Sequence, residues 1–495
     1  MQLLAYLIVA VYIIALVYIT FYCLVQLHLL FYYKKFHWGM PPPKATPPSD
    51  DELPFVTIQL PIFNEMYVVE RLIDNIVQFD YPKNKYEIHI LDDSTDETVA
   101  ISQRKVEEYQ AKGFNIELYH RVDRTGYKAG ALKEAMVHAK GDYIAIFDAD
   151  FLPRPEFLRA TIPHFIKNKK VGVVQTRWEH INQDYSMLTR LQAMQLNVHF
   201  TVEQQGRKSG NLLLQFNGTA GVWRRACIDD AGGWEADTLT EDLDLSYRAQ
   251  LRGWEIVYLE KFGSPAELPA EMNGLKSQQF RWMKGGAENA RKLLPTIWKS
   301  KALTFKQKMH ATGHLMNSGV FLFVFVAGVF SVPMLFAMEY LGFSTAPFAV
   351  FLIGLVSVVA VYYVANVEAE LNKESFGRMF LKFVFLFPIF LSLSMGLSLH
   401  NTIAVIQGYI GKKSPFVRTP KFNIVGIKDS FKSRKYLATK LPATTIFEGI
   451  LSVYFLGGLI GGFYLGDQSF MLFHLLLMVG FGSIFYYSVR HLSLK

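Results

Sequence analysis

Residues 143–151 read Tyr143-Ile144-Ala145-Ile146-Phe147-Asp148-Ala149-Asp150-Phe151. The apolar run Tyr143–Phe147 has the length and composition of a buried strand, and its end carries two carboxylates separated by one residue. Strand side chains repeat every two residues, so Asp148 and Asp150 point to one side. Two hard oxygen ligands so placed suit Mg2+ or Mn2+, with water and phosphate filling the remaining positions. An ordinary solvated loop shows the same spacing, so the surroundings must decide.

Those surroundings alternate. Between Phe55 and about Gly263, strand-like runs at Phe55–Pro61, Tyr86–Leu91, Asn115–Tyr119, Tyr143–Phe147 and Val171–Gln175 are interleaved with helical stretches at Asn64–Gln78, Glu97–Lys112, Lys128–Ala139 and Glu156–Asn168. This order predicts an α/β, Rossmann-like domain whose mostly parallel sheet is covered on both faces. In such sheets ligands bind beyond the carboxyl ends of the strands. Asp92-Asp93 and Asp148–Asp150 each follow a strand run, so both fall at one rim. No repeat of solenoid length occurs, which makes residues 55–265 one domain.

The chain as a whole is too apolar for a soluble protein of 495 residues: 51% is hydrophobic and 15% aromatic. Leu3–Tyr33 exceeds the roughly 20 apolar residues that span a bilayer. Lys34-Lys35 follow it, so residues 1–36 read as a retained anchor whose C-terminal side is cytoplasmic. Residues 37–54, rich in proline, form a linker. Residues 266–312 read as interfacial, and residues 313–411 and 446–495 carry further apolar runs at about Gly319–Leu341, Pro347–Asn366, Phe380–Ile410, Ile446–Leu465 and Phe470–Val489. Residues 412–445 hold nine Lys and Arg against one acid, Asp429, which predicts a cytoplasmic loop. An even number of crossings must then separate this loop from the α/β domain, yet three runs intervene. Phe380–Ile410, interrupted by Pro388, crosses twice or folds back, or one of the three runs lies at the interface.

The net charge of +8 is concentrated beside apolar segments, which favours lipid contact and argues against nucleic acid. Cys23 and Cys227 have neither zinc-site nor disulfide-framework spacing.

Four further stretches have chemical potential, each with a plainer alternative. Asp92-Asp93-Ser94-Thr95 leads into Asp96-Glu97, which serves equally well as a capped, acidic first helical turn, and capping suits Asp96 better than Asp93. Arg124-Thr125-Gly126-Tyr127-Lys128 places cations and flexible backbone where a helix starts, an arrangement that receives phosphate oxygens, without the spacing of a Walker A loop. Thr240-Glu241-Asp242 is either a capping threonine with two first-turn acids or the site of a carboxylate general base. Gln278-Gln279-Phe280-Arg281-Trp282 reads as an interfacial helix with Trp at headgroup depth, and equally as an aromatic platform for a sugar ring beside an Arg for a diphosphate.

Taken in order, Asp93, Asp148–Asp150, Asp242 and Gln278–Arg281–Trp282 resemble the D, DxD, D, QxxRW signature of the processive family 2 glycosyltransferases. LDDSTD (91–96), RTGYKAGALKE (124–134), HFTVEQ (199–204), FNGTAGVWR (216–224), AGGW (231–234) and TEDLDL (240–245) are most similar to the cellulose synthase-like A and C group, makers of β-mannan, glucomannan and β-1,4-glucan. The resemblance covers about Phe55–Lys292. It implies a GT-A domain inserted in a multi-pass helical membrane region. It further implies that Asp242 is the base, that Glu65, Asp93, Lys128, Asp148 and Arg281 bind the nucleotide sugar, and that Gln278, Trp282 and Asn217 bind the acceptor. Asp148 and Asp150 would hold Mg2+ or Mn2+. Ser414–Lys421 is similar to the FxVTPK gating loop of cellulose synthases, with Arg418 in place of its valine.

The expected activity is inverting transfer of a hexose from UDP-glucose or GDP-mannose to a growing β-linked polysaccharide, with coupled translocation. The alternative is a non-processive enzyme making a membrane glycolipid. The partners implied are the donor, a glycan or lipid acceptor, membrane lipids, and further copies or accessory export proteins. The expected setting is a plasma or inner membrane with the catalytic domain in the cytoplasm. No C-terminal cyclic-dinucleotide module is expected after Val489, and the single N-terminal span implies a channel incomplete within one protomer.

Overall fold

The computed structural model describes residues 1–37, 48–344, 346–369, 375–432 and 434–492. Most of the proline-rich linker lies outside them. The α/β domain is built on a seven-stranded sheet in the order β3-β2-β1-β4-β6-β5-β7. The strands are β1 Val56–Ile62, β2 Tyr86–Asp92, β3 Ile116–His120, β4 Tyr143–Ile146, β5 Val171–His180, β6 Gly221–Arg224 and β7 Glu255–Ala266. Alternation along β4 shows why the sheet is covered twice. Ala145 and Phe147 join a core with Ile58, Leu60, Leu72 and Ile162 on one face. Ile144 and Ile146 join Leu132, Val173 and Trp223 on the other.

Register then fixes the rim. Ile62 pairs with Asp92 across β1 and β2, and Gln59 pairs with Ile146 across β1 and β4, all parallel. These strands end together, and residues 63–65, 93–96 and 147–151 leave the sheet side by side. The expectation of a mostly parallel sheet is incomplete at one point. β6 runs antiparallel between β4 and β5, with Gly221 opposite both Ile146 and Gln175. Its N-terminal end therefore meets the carboxyl ends of its neighbours, which brings Asn217–Ala220 to the same rim. β5 also runs on to His180, past the expected Gln175, and carries Trp178 there.

Among the described residues, six helices are long and apolar enough to cross a membrane: Gln2–Lys35, Gly319–Leu341, Phe348–Glu368, Phe376–Gly396, Ala443–Leu465 and Met471–Arg490. Their packing fixes where each helix end lies relative to the α/β domain. Lys34 pairs with Glu368, so the first and third helices end together on the side of the α/β domain. Tyr12 packs on Phe348 and Phe470 at the far side. Phe376–Gly396 begins near the domain, where Met379, Lys382 and Phe383 line a cavity with Trp178 and His180. The chain breaks after Gly396, whose missing side chain allows backbone contact with Gly480; a Cβ there would sit 2.4 Å from the Gly480 carbonyl carbon.

The next helix, Ser398–Tyr409, runs beside Met272–Lys299, and His400 Nε2 lies 2.9 Å from the Lys276 carbonyl. Twelve helical residues reach only about 18 Å, short of the roughly 30 Å hydrocarbon core. The Phe376–Tyr409 pair thus folds back and returns to the domain side. Gly319–Leu341 runs away from the domain along the first helix, and Phe348–Glu368 runs back to it.

Candidate active site

The rim, the helix Met272–Lys299 and the loop after Tyr409 enclose a cavity of about 210 Å³. Every site residue singled out in the sequence lines it: Glu65, Asp93, Lys128, Asp148, Asp150, Asn217, Asp242, Gln278, Arg281 and Trp282. Gln278, Arg281 and Trp282 share one face because they stand at i, i+3 and i+4 of that helix.

Lys128 lies in the first turn of the helix Tyr127–Ala135 and reaches across the rim. Its Nζ donates to Asp148 Oδ1 at 2.5 Å and to the Gly218 carbonyl at 2.9 Å. Burial alone would lower this ammonium, but Asp148 and Glu241 outweigh it and hold the pKa above its ordinary value. Burial likewise raises Asp148, against the pull of Lys128. Gly218 has φ +80°, and a Cβ there would stand 3.0 Å from Asp242 Oδ2 and 3.6 Å from Lys128 Nζ. Glycine is therefore required for both backbone and space, and the FNGTAG stretch lets Asp242 approach the Lys128–Asp148 pair.

Asp242 stands in the first turn of the helix Glu241–Leu251. Burial and the adjacent Glu241 carboxylate push its pKa well above the usual carboxylate range, only partly offset by Lys128. The capping reading of Thr240 does not hold: its hydroxyl makes no cap bond and instead accepts from Asn289 Nδ2 at 2.9 Å. The acids at 241 and 242 are thus left to face the cavity.

Asp93 lines the cavity and is ion-paired within the domain. Arg121 Nε and Nη2 donate to its two oxygens, both at 2.7 Å, in a bidentate pair that is nearly buried. Its neighbour Asp92 accepts from the Ser94 backbone N–H at 2.7 Å, closing a turn. Arg124 lies with its guanidinium 3.3 Å from the Phe63 ring centroid. Arg121 carried no signal in the sequence beyond lying three residues before Arg124.

Residues of the basic loop line the cavity. Phe416 lies under Arg281, 4.7 Å from guanidinium carbon to ring centroid. Arg281 donates to the Val417 carbonyl at 2.5 Å and to Thr419 Oγ1 at 3.0 Å. Arg418 Nη1 stands 3.2 Å from Glu65 Oε2, and Lys421 Nζ donates to Asp150 Oδ2 at 2.7 Å. Burial pushes the Glu65 carboxyl up to about 8, with Arg418 opposing. Burial lowers Arg281 to about 10, with Asp148 and Glu241 opposing, so it remains a cation at neutral pH. Both carboxylates of Asp148–Asp150 therefore face a lysine, and the loop supplies one of the two.

Asp148 and Asp150 present hard carboxylate oxygens of the kind a divalent cation takes. A second acidic cluster, Glu235, Asp237 and Asp244, lies outside the cavity. The Lys292 ammonium fills that cluster, at 2.6, 2.8 and 2.9 Å from the three carboxylates.

A sequence model described as glycosyltransferase-like family 2 matches residues 54–285. Glucomannan 4-beta-mannosyltransferase 1 of Oryza sativa subsp. japonica is 36% identical over 400 residues, covering 78% of this chain and 74% of that protein. The chain belongs to the family 2 glycosyltransferases of the cellulose synthase-like type. This glycosyltransferase is also 42% identical over 261 residues to glucomannan 4-beta-mannosyltransferase 7 of Arabidopsis thaliana, a match spanning 52% of the chain and about half, 47%, of the relative. Its fold resembles the mannosyltransferase PcManGT from Pyrobaculum calidifontis, solved in complex with GDP-Man and Mn2+, with TM-score 0.51 and 18% identity over 83% of this chain and 99% of that one. The glycosyltransferase is a hexosyltransferase with a GT-A domain, and it is an integral membrane protein.

Proposed function

We propose that the enzyme transfers mannose from GDP-mannose, with inversion, to the end of a β-linked mannan or glucomannan chain. The observation that carries this reading is the approach of Asp242 to the Lys128–Asp148 pair across Gly218. A carboxylate so raised in pKa suits removal of a proton from an acceptor hydroxyl near neutral pH. The hydroxyl oxygen then bonds to the anomeric carbon as the nucleotide diphosphate departs from the opposite face.

Lys128 and Arg281 reach the rim as cations and would neutralise the departing diphosphate. Asp148 and Asp150 would hold Mn2+ or Mg2+, which supplies further charge neutralisation when bound. Glu65 and Asp93 border the nucleotide side, whereas Gln278, Trp282 and Asn217 border the acceptor side. The likeness to glucomannan 4-beta-mannosyltransferases favours mannose over glucose, and the GDP-Man bound by the similar fold favours GDP over UDP.

A second cavity of about 530 Å³ shares Trp178 and His180 with the first and extends along Asn197 and Asn366. It leaves room for a chain longer than one sugar, which favours a polymer over a single-sugar lipid product. The domain side of the membrane is the cytoplasmic side by the Lys and Arg excess of the loop.

The test is product analysis with purified enzyme in lipid nanodiscs supplied with Mn2+ and either GDP-mannose or UDP-glucose. Mannose incorporation into a product cut by endo-β-mannanase is expected. Only single-sugar lipids, or incorporation from UDP-glucose alone, would overturn the reading.

A further inference from the structure

We propose that the second half of the helix Met272–Lys299 is a clamp for the base: Gly285, Glu288, Asn289 and Lys292 hold the chain leading into Asp242 at a fixed reach from Trp282 on the same helix. The inference rests on the reading of Asp242 as the general base of hexosyl transfer. Gln278, Trp282, Gly285, Asn289 and Lys292 follow one another at intervals of three and four residues, so they form a single stripe. Gln278 and Trp282 line the cavity, whereas the four clamp residues lie outside it. They meet the segment that bears the base instead, and are therefore positioning residues.

That segment needs holding. Residues 233–240 form neither helix nor strand, so no ladder of backbone hydrogen bonds fixes where Asp242 stands. Glu288 Oε2 accepts from the Leu239 N–H at 2.8 Å. Asn289 Nδ2 donates to Thr240 Oγ1 at 2.9 Å and to the Thr240 carbonyl at 3.1 Å. The same carbonyl accepts from the Asp244 N–H at 3.2 Å, closing the first turn of the helix Glu241–Leu251. Asn289 thus grips the turn on which Asp242 rides. It is fully buried, so water cannot replace its bonds. Lys292, paired with Glu235, Asp237 and Asp244, ties the segment to the helix on both sides of that turn.

The closest approach is at Gly285. A Cβ there would stand 2.5 Å from Thr240 Oγ1 and 2.7 Å from its Cγ2, so only glycine lets helix and segment meet at this distance. Trp282 precedes Gly285 by three residues, a rise of about 4.5 Å. The aromatic platform and the grip on Thr240 are therefore less than one turn apart on one rigid element. A sugar packed on Trp282 meets Asp242 at a distance that this helix sets. Misplacing a reacting group by about 1 Å costs on the order of a hundredfold in rate, which is the leverage of the clamp.

The test is a double-mutant cycle on the full-length protein in nanodiscs, with GDP-mannose, Mn2+ and β-1,4-mannohexaose. Gly285→Ala presses a methyl group on Thr240 and should lower kcat about a hundredfold. The KM for GDP-mannose should stay unchanged, because Lys128, Asp148 and Arg281 keep their places. Asn289→Ala releases the Thr240 carbonyl and should lower kcat about tenfold, the worth of one hydrogen bond. On an Asp242→Asn background, where the base is already gone, neither substitution should lower the residual rate further. Should Gly285→Ala not fold, as thermal unfolding shows, Asn289→Ala adds no atom and carries the cycle alone. An equal loss on both backgrounds, an unchanged kcat on the parent background, or a rise in donor KM without loss of kcat would overturn the clamp. An Asp242→Asn protein with the parent's rate would remove the base reading and the clamp with it, a result distinct from loss of the clamp alone.

Discussion

Lys421 Nζ lies 2.7 Å from Asp150 Oδ2, so a residue of the loop before the last two membrane helices neutralises a carboxylate on the sheet rim 271 residues away. The same ammonium is anchored by the Glu267 carbonyl, and Phe422 behind it is bonded by its N–H to Glu267 Oε1 at 2.9 Å. With Phe416 under Arg281 and Arg418 at Glu65, the loop lines the cavity beside both carboxylates of Asp148–Asp150.

Lys421 thus competes with a divalent cation for Asp150. Replacing it by Met leaves a nearly buried carboxylate without its counter-charge, and an incoming cation then meets no rival. At ~1.5 kcal/mol for a charge-assisted bond, the apparent Mn2+ affinity of Lys421→Met should rise about tenfold. A Mn2+ titration of donor turnover measures it, and an unchanged or weaker affinity would show that the loop leaves the site before the metal binds.

Asp242 is expected to set the acidic limb of the pH profile. Its pKa is raised by burial and by Glu241, so the deprotonated base is lost as pH falls through a value above the usual carboxylate range. The rate at saturating donor should therefore climb with pH across that raised value. Asp242→Asn should lower transfer by about 10²–10⁴, the usual contribution of a general base, with donor binding retained. Donor affinity measured by GDP-mannose protection against heat separates the two effects.

How much of this was legible in the sequence depends on distance along the chain. Asp148–Asp150 and its strand were readable because a five-residue apolar run has the length and composition of a buried strand and two acids stand directly at its end. β6 was not, since Gly-Val-Trp-Arg is too short to show a period, and an antiparallel insertion breaks the strand-helix alternation. Arg418 and Lys421 were visible only as charge. Composition assigns a cation to a membrane side but cannot show that its partner is Glu65 or Asp150. Phe380–Ile410 read as one apolar run because hydropathy does not register the break at Gly396, where close packing on Gly480 ends the helix.

Asp93 and Arg121 are expected to behave as one unit. Their side chains are 5% and 11% exposed, and the pair is bidentate. Breaking a buried pair of this kind from either side costs about 3 kcal/mol. Asp93→Ala and Arg121→Ala should each lower Tm, and the double variant should cost less than the sum of the two. Thermal unfolding in detergent checks it. An Asp93→Ala protein as stable as its parent but unable to bind donor would show that Asp93 acts on the nucleotide without help from Arg121.

The fold-back of Phe376–Gly396 and Ser398–Tyr409 makes a prediction about sidedness. If Phe376–Gly396 crossed the bilayer, residues 377 and 413 would be separated by a full crossing, because the following helix is too short to return. In the observed packing both lie on the side of the α/β domain. Cys23 and Cys227 are buried, so single cysteines placed at exposed sites should dominate labelling. Gly377 has open space around its Cα, and Lys413, Val137 and Gln468 are exposed. Gly377→Cys, Lys413→Cys and the domain control Val137→Cys should react with a membrane-impermeant maleimide from one side of sealed vesicles. Gln468→Cys, between the last two membrane helices, should react from the other. Labelling of Gly377→Cys together with Gln468→Cys would instead make Phe376–Gly396 a sixth crossing and place the basic loop across the membrane from the site whose carboxylates it pairs.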